Sequence, residues 1–268
     1  MKKKKYKNQS LLWQLHSEHT PTPSYIFGTM HIKNSNLFSH LEKAYAAIDE
    51  VEIYAAEYDL HDAQEGLSPM LFQLPDGKAL PDYIEKKKFQ KLQNIIQKAF
   101  DIDLYQIQHL LPIFIVNILT QKILAQNSNA SLDEHLWNYA LTQGKNCTGV
   151  ERFQEQIDIL QKIEVKEQIN MLLKIGQNVS KYRKKLLHLS EIYQKGNMQL
   201  LYQLSKKSSG KLRKMMIYNR NEIMASRIAD FAKETTIFTA VGAAHLGGEK
   251  GTLRYLKQKG FSVKPIIL

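Results

Sequence analysis

The sequence predicts an α/β (α+β) fold, with a mixed β-sheet core formed by the N- and C-terminal segments and a large helical insert, about residues 80–235, between them. Three observations carry this. Strand, helix and strand patterns follow one another at both ends of the 268-residue chain. The middle places its apolar residues at helical spacing. One apolar strand near each end runs into the same Gly-x-x-His segment.

The elements follow in order. Residues 11–15 alternate weakly, and Ser24–Thr29 concentrates aromatic and β-branched residues, so both read as strands. Leu37, Leu41, Ala44, Tyr45 and Ile48 recur at helical spacing over 37–48, and residues 51–58 form a further strand. Pro75-Asp76-Gly77 is a turn, and Leu80-Pro81-Asp82 opens a helix reaching about 100. Pro112 starts or kinks the next. Ser131 and Glu134 form a capping box for a helix over 132–142, which Gly144 ends. Residues 146–150 are a short strand. Amphipathic helices cover 153 to about 194 and about 197–204. Ser208-Ser209-Gly210 is a break, and a helix spans 211–233. A buried strand (236–241), a loop (242–248), a helix (249–259, capped by Gly260) and a strand (261–267) close the chain. One domain is expected over 11–268, preceded by a disordered basic tail over 1–10.

Composition narrows the function classes. With 43% hydrophobic and 24% charged residues, the chain can bury a sizeable core. The longest apolar run, 110–119, is interrupted by Pro112 and Asn117 and is too short for a bilayer, so no transmembrane segment is expected. The single cysteine, Cys147, excludes an intrachain disulfide and a cysteine-based metal site. Any metal must therefore use His and carboxylates. Of the net charge of +11, five charges come from Lys2, Lys3, Lys4, Lys5 and Lys7. These resemble the basic start of a signal peptide, but Asn8, Gln9 and Ser10 stand where its apolar stretch belongs. The expectation is a cytoplasmic protein, or an exported one if a signal preceded residue 1. Basic clusters at 181–185 and 206–214 read as solvated helix faces or as surfaces for nucleic acid or anionic membrane. No aromatics interleave the second cluster and no nucleic-acid-binding motif is present, so no specific nucleic-acid partner is expected.

The chemistry concentrates at strand ends. Gly28-Thr29-Met30-His31 follows the strand at 24–29, and Gly242-Ala243-Ala244-His245 follows the strand at 236–241. Glu57 lies near the end of the strand at 51–58, and Glu151 follows that at 146–150. In sheets with helical crossovers, ligands bind beyond the carboxyl ends of the strands, and glycine lets the backbone turn sharply there. Two His and two Glu suit a divalent Zn, Mn, Fe or Co ion. Taken singly, each His could be a structural hydrogen-bonding group, Glu57 an edge-strand charge, and Glu151 an acid favoured at a helix N-terminus. The remaining histidines, at 16, 19, 40, 61, 109, 135 and 188, read as surface or packing residues.

Taken together, these segments resemble the TraB/GumN/PrgY family, which includes the Tiki metalloproteases. The resemblance spans nearly the whole chain. It rests on Leu11-Leu12-Trp13 with residues 24–31, on Ala56-Glu57-Tyr58-Asp59-Leu60, and on residues 74–80. It also rests on Ser131-Leu132-Asp133-Glu134, Gly149-Val150-Glu151 with Gln156, Asn219-Arg220-Asn221 with Met224, and residues 241–248 with Gly251. Gly247 stands where a proline is common and Val150 where a leucine is; neither touches a proposed ligand. The resemblance implies one site built from both Gly-x-x-His segments, with metal-dependent peptidase activity established for the Tiki branch.

Three function classes follow. The first is a metallohydrolase acting on a peptide or protein. His31, His245 and Glu57 hold a divalent metal (Mn, Co, Zn or Fe), Glu151 is a fourth ligand or the general base, and Arg220 steadies an oxyanion or binds a substrate carboxylate. Arg220 could equally be a helix-surface cation paired with an acid such as Glu222. The second is a non-catalytic peptide-sequestering protein of the pheromone-shutdown type. The third is a basic surface-binding protein for nucleic acid or anionic membrane. Substrate, metal and oligomeric state are not legible in the sequence.

Overall fold

A computed structural model describes residues 10–18, 20–38, 41–62, 68–125, 128 and 130–267. The strands are β1 (Leu12–His16), β2 (Ser24–Thr29), β3 (Ile53–Tyr58), β4 (Asn146–Glu151), β5 (Ile237–Gly242) and β6 (Ser262–Ile266). The α-helices are α1 (Glu42–Asp49), α2 (Lys86–Phe100), α3 (Pro112–Leu124), α4 (Leu132–Thr142), α5 (Phe153–Gln161), α6 (Val165–Gln177), α7 (Val179–Gln194), α8 (Met198–Ser209), α9 (Asn219–Glu234) and α10 (Thr252–Gln258).

The chain divides into two compact units: residues 1–65, 126–153 and 189–268, and residues 66–125 and 154–188. The first unit contains the whole sheet, in the order β4-β3-β5-β2-β1-β6. β4, β3, β5 and β2 run parallel; β1 pairs antiparallel with β2, and β6 pairs antiparallel with β1, so β1 is the strand that runs against the others. This is the expected mixed α/β core shared by the two ends of the chain. β5 lies between β2 and β3, pairing Phe238 with both Tyr25 and Tyr54. The carboxyl ends of the four parallel strands therefore lie together along one edge of the sheet.

The segregation of apolar faces explains the layers. α9 buries Met224, Ala225, Ile228, Ala229 and Ala232, which recur at helical spacing, against Trp13, Ile26, Val150, Ile237 and Val241. Its alanines let the helix approach the sheet closely, and each large apolar side chain buried there contributes about 1.5–3 kcal/mol. Tyr54, which is fully buried, stacks on Phe238 and meets Trp137 of α4 edge-on. The second unit is helical. There the buried Gln168 side chain accepts from the Ile113 amide (3.2 Å) and donates to the Ile163 carbonyl (2.8 Å), tying α6 to the start of α3.

Several elements differ from expectation. The span 153–194 is three helices. Gln168 engages the loose carbonyl at Ile163, and Asn178, outside helical geometry, accepts from the Lys181 amide (2.8 Å) to begin α7. The first break is marked by neither Gly nor Pro, and Gly176, near the second, lies within the last turn of α6. The helix expected from 80 begins as a 3-10 turn, Leu80–Asp82, with α2 starting at Lys86. The segment 37–48 splits into a 3-10 turn, Ser35–Phe38, and α1. α8 continues to Ser209, and Gly210 (φ 49°) breaks the path. A π-helical turn, Lys214–Tyr218, then precedes α9. Residues 126–153 and 189–235, inside the span read as the insert, belong to the sheet unit. The expected basic tail over 1–10 lies outside the described residues except for Ser10, which is buried and donates to the Ile266 carbonyl. No helix among the described residues is long and apolar enough to cross a membrane.

Candidate functional site

Two glycines explain how the strand ends converge. A Cβ on Gly28 would lie 2.8 Å from Leu246 Cδ1 and 3.1 Å from Ala243 Cα, so β2 can press against the turn carrying His245 only without a side chain. A Cβ on Gly242 would lie 3.2 Å from Glu57 Oε2, 3.4 Å from His245 Cδ2 and 3.8 Å from His31 Nε2. The three residues expected to bind metal thus surround one point at the end of β5. Glu57 Oε2 accepts the Gly242 amide hydrogen (2.7 Å) and lies 3.4 Å from His31 Nε2. Glu57 and His245 are buried, whereas the His31 side chain is 45% exposed, so His31 is the member facing solvent.

Both imidazoles are oriented from behind. His31 Nδ1 lies 2.9 Å from Asp133 Oδ2, and the Thr29 hydroxyl donates to Asp133 Oδ1 (2.5 Å). Asp133 is buried in the first turn of α4, which the Ser131–Glu134 capping box begins. His245 Nδ1 lies 2.6 Å from Asn221 Oδ1, and Asn221 Nδ2 donates to the Lys250 carbonyl (2.6 Å). That donation fixes the amide orientation. An amide oxygen only accepts, so His245 Nδ1 carries the hydrogen in its contact, while His31 Nδ1 and Asp133 Oδ2 stand as an ion pair when the ring is charged. Orientation of one imidazole nitrogen by an acceptor is the usual second-layer support of a metal-binding histidine.

Arg220, placed by the first turn of α9, is 7% exposed. Its Nη2 donates to Glu57 Oε1 and to Glu151 Oε2, both at 2.5 Å, and its Nε reaches both Glu151 oxygens at 3.1 Å. The structure therefore gathers all five residues, His31, Glu57, Glu151, Arg220 and His245, into one cluster. Arg220 points inward and is not a surface cation paired with Glu222.

The cluster sets its own protonation. Burial disfavours the Glu57 carboxylate, but the Arg220 guanidinium, aided by the two histidines, outweighs this and holds Glu57 well below the usual carboxylate range. Burial lowers His245 to about 4, against the opposing pull of Glu57 and reinforced by Arg220 and His31. His245 is thus a neutral ring at neutral pH. Lost hydration works against the His31 cation, yet the carboxylates of Asp133 and Glu57 outweigh it and raise His31 well above its ordinary value.

Two imidazoles and a carboxylate match the donor chemistry of a divalent ion, and both oxygens of Glu57 keep accepting capacity. Among the described residues, however, no group of three or more His, Cys, Asp or Glu side chains is set as a ready-made metal site. Arg220 already holds one Glu57 oxygen, and Glu151 gives both of its oxygens to Arg220.

Sequence reasoning missed two contributors. Asp133 stands in the sequence only as one member of the Ser131-Leu132-Asp133-Glu134 segment, with no role of its own; its burial, which distinguishes it from an ordinary first-turn acid, is a tertiary fact. Tyr193 of α7, also buried, donates to the Gly28 carbonyl (2.7 Å) and steadies the turn leading to His31. Of the other histidines, His135 stacks on Phe38 and lies 2.6 Å from the Tyr45 hydroxyl, and His61 meets Trp137 edge-on. His19 and His40 lie outside the described residues.

A mixed α/β sheet whose parallel strand ends carry paired Gly-x-x-His turns around a buried arginine defines the class to which this chain belongs. The profile of the TraB/PrgY/gumN family matches residues 11–265, and the chain belongs to that family. No curated protein sequence and no solved structure matches the chain significantly.

Proposed function

We propose that the protein is a metal-dependent hydrolase acting on peptide bonds, with His31, Glu57 and His245 holding a divalent ion such as Mn, Co, Zn or Fe. The observation that carries this reading is the convergence of His31 Nε2, Glu57 Oε2 and the His245 ring around Gly242, each imidazole being oriented through Nδ1. When bound, such an ion supplies Lewis acidity towards a carbonyl and towards water. The chain's residues divide the remaining work. His31, the exposed member, meets the substrate first. Arg220 lends positive charge where an oxyanion develops. Glu151 fixes the guanidinium rather than acting as a free base, because both its oxygens face Arg220. Asp133 and Asn221 hold the two imidazoles in place.

A second reading is favoured by one observation: Arg220 already pairs with both Glu57 and Glu151, and His31 is backed by Asp133 as an acid–base pair able to act without metal. One experiment separates the readings. Protein purified without chelator or nickel resin is analysed for metal and assayed on a peptide library before and after chelation. The first reading expects about one ion per chain and chelator-sensitive turnover, both lost in His245→Ala with the circular dichroism unchanged. Turnover that survives chelation but vanishes in His31→Ala selects the metal-free reading. Metal binding without turnover across the library selects peptide sequestration.

A further inference from the structure

The basic stretch near 206–214 is not simply a solvated helix face. Beyond α8 the chain turns back through the π-helical turn, bringing Lys206, Arg213 and Tyr218 together with Tyr202 and Lys250. Arg213 Nε donates to the Lys206 carbonyl (2.9 Å), and its guanidinium hydrogen-bonds Tyr218. The Tyr202 and Tyr218 phenols hydrogen-bond each other. Lys250 Nζ stands 5.1 Å from the centre of the Tyr218 ring. Among the described residues none of these three cations forms an ion pair, and the acid acting on this group is Glu249, felt at Tyr202.

This patch is built into the candidate site. Tyr202 packs on Gly247 and Gly248, where a Cβ on Gly248 would fall 2.1 Å from its Cζ, so the ring lies flush against the loop that follows His245. Asn221 joins the His245 ring to the Lys250 carbonyl. Arg220 Nη1 lies 3.5 Å from the Met216 carbonyl inside the π-helical turn. Such turns recur at functional sites, because the extra residue re-aims side chains. Three uncompensated cations and the remaining phenolic hydrogen of the tyrosine pair, beside a proposed hydrolytic centre, are complementary to a carboxylate.

We propose that Lys206, Arg213 and Lys250, with the phenols of Tyr202 and Tyr218, form a subsite for an acidic side chain of the substrate, making the protein selective for acidic peptides. The inference rests on the peptide-substrate reading above. Its test reads binding, not turnover. A fluorescein-labelled peptide containing glutamates and its glutamine counterpart are titrated by fluorescence anisotropy into the wild type and into His245→Ala. The acidic peptide should bind about tenfold more tightly or better, with the advantage shrinking as salt rises. Discrimination should persist in His245→Ala and fall to near unity in Lys206→Gln/Lys250→Gln. Arg213→Lys, which keeps the charge but loses the planar fork, should weaken it in part. Equal affinity for the two peptides overturns the inference even if the enzyme hydrolyses both. Discrimination without hydrolysis upholds it while removing the enzymatic reading. Phosphatidylserine vesicles or duplex DNA binding more tightly than the acidic peptide at the same salt would also overturn it.

Discussion

At the scale of single residues, the site is a chain of charges that depend on one another. Arg220 is the pivot, since its guanidinium compensates two buried carboxylates. Arg220→Met strips Glu151 of the Arg220 cation and leaves Glu57 with His31 and the Gly242 amide, and should cost about 3–5 kcal/mol, measured by urea unfolding at neutral pH. Arg220→Lys keeps the charge but cannot span Glu57 and Glu151 in the same way. It should lower kcat on any responsive substrate about a hundredfold while the protein stays folded; unaltered turnover would place Arg220 outside the mechanism. His245 gives a pH signature. Its folded value of about 4 lies below the ordinary histidine value of 6.5, so between these the unfolded chain binds the proton that the folded chain refuses. Stability contributed by the neutral ring is present above pH 6.5 and is lost as pH falls towards 4, by an amount on the order of 3 kcal/mol. Glu57 adds a further loss below pH 4.5. His31, raised above 6.5, works in the opposite sense and loses its contribution as pH climbs through its folded value. Unfolding midpoints should therefore peak near pH 6.5, and His245→Gln should flatten the limb between 6.5 and 4. An unchanged acid limb in that variant would assign the loss elsewhere.

At the scale of elements, the Ser131–Glu134 capping box links a local motif to the chemistry. Ser131 accepts from the Glu134 amide (3.2 Å), Glu134 accepts from the Ser131 amide (2.6 Å), and Asp133 sits between them. Ser131→Ala should cost about 1 kcal/mol in thermal unfolding. It should also lower turnover more than that loss implies, because Asp133 is aimed by the same turn; Asp133→Asn should reproduce the loss of turnover. This scale also shows what was legible in the sequence. Each Gly-x-x-His turn could be read because an apolar strand, a glycine and a histidine are contiguous. Glu57 and Glu151 could be read because their strands have a clear pattern. Arg220 sits in a helix of ordinary composition, and only the family resemblance singled it out. Asp133 and Tyr193 lie on amphipathic helices where an acid in the first turn or a tyrosine on the apolar face has an ordinary explanation. The breaks at 162–164 and 178 escaped because side-chain amides, not Gly or Pro, receive the interrupted backbone groups.

At the scale of the whole molecule, the ends of the chain stabilise each other. β6 pairs with β1 from Leu12↔Ile266 to His16↔Ser262, and Phe261 enters the core beside Leu256. A chain ending at residue 260 loses that strand, and β1 becomes an exposed edge able to pair with other molecules. It should unfold at lower urea and run as higher oligomers in size-exclusion chromatography. Retention of the full-length midpoint would show that β6 is dispensable.

The position of β5 has a consequence for the newborn protein. Its neighbours β2 and β3 are complete by Tyr58, but β5 begins only at Ile237. At ordinary translation speeds that interval lasts on the order of ten to forty seconds. During it, two apolar strands leave the ribosome without the partner that belongs between them. His31 and Glu57 are then synthesised but unassembled, and they acquire Arg220 and His245 only once the chain has grown past residue 245. Prematurely terminated chains therefore lack the complete cluster and present bare sheet edges to the chaperones and proteases that survey nascent polypeptides.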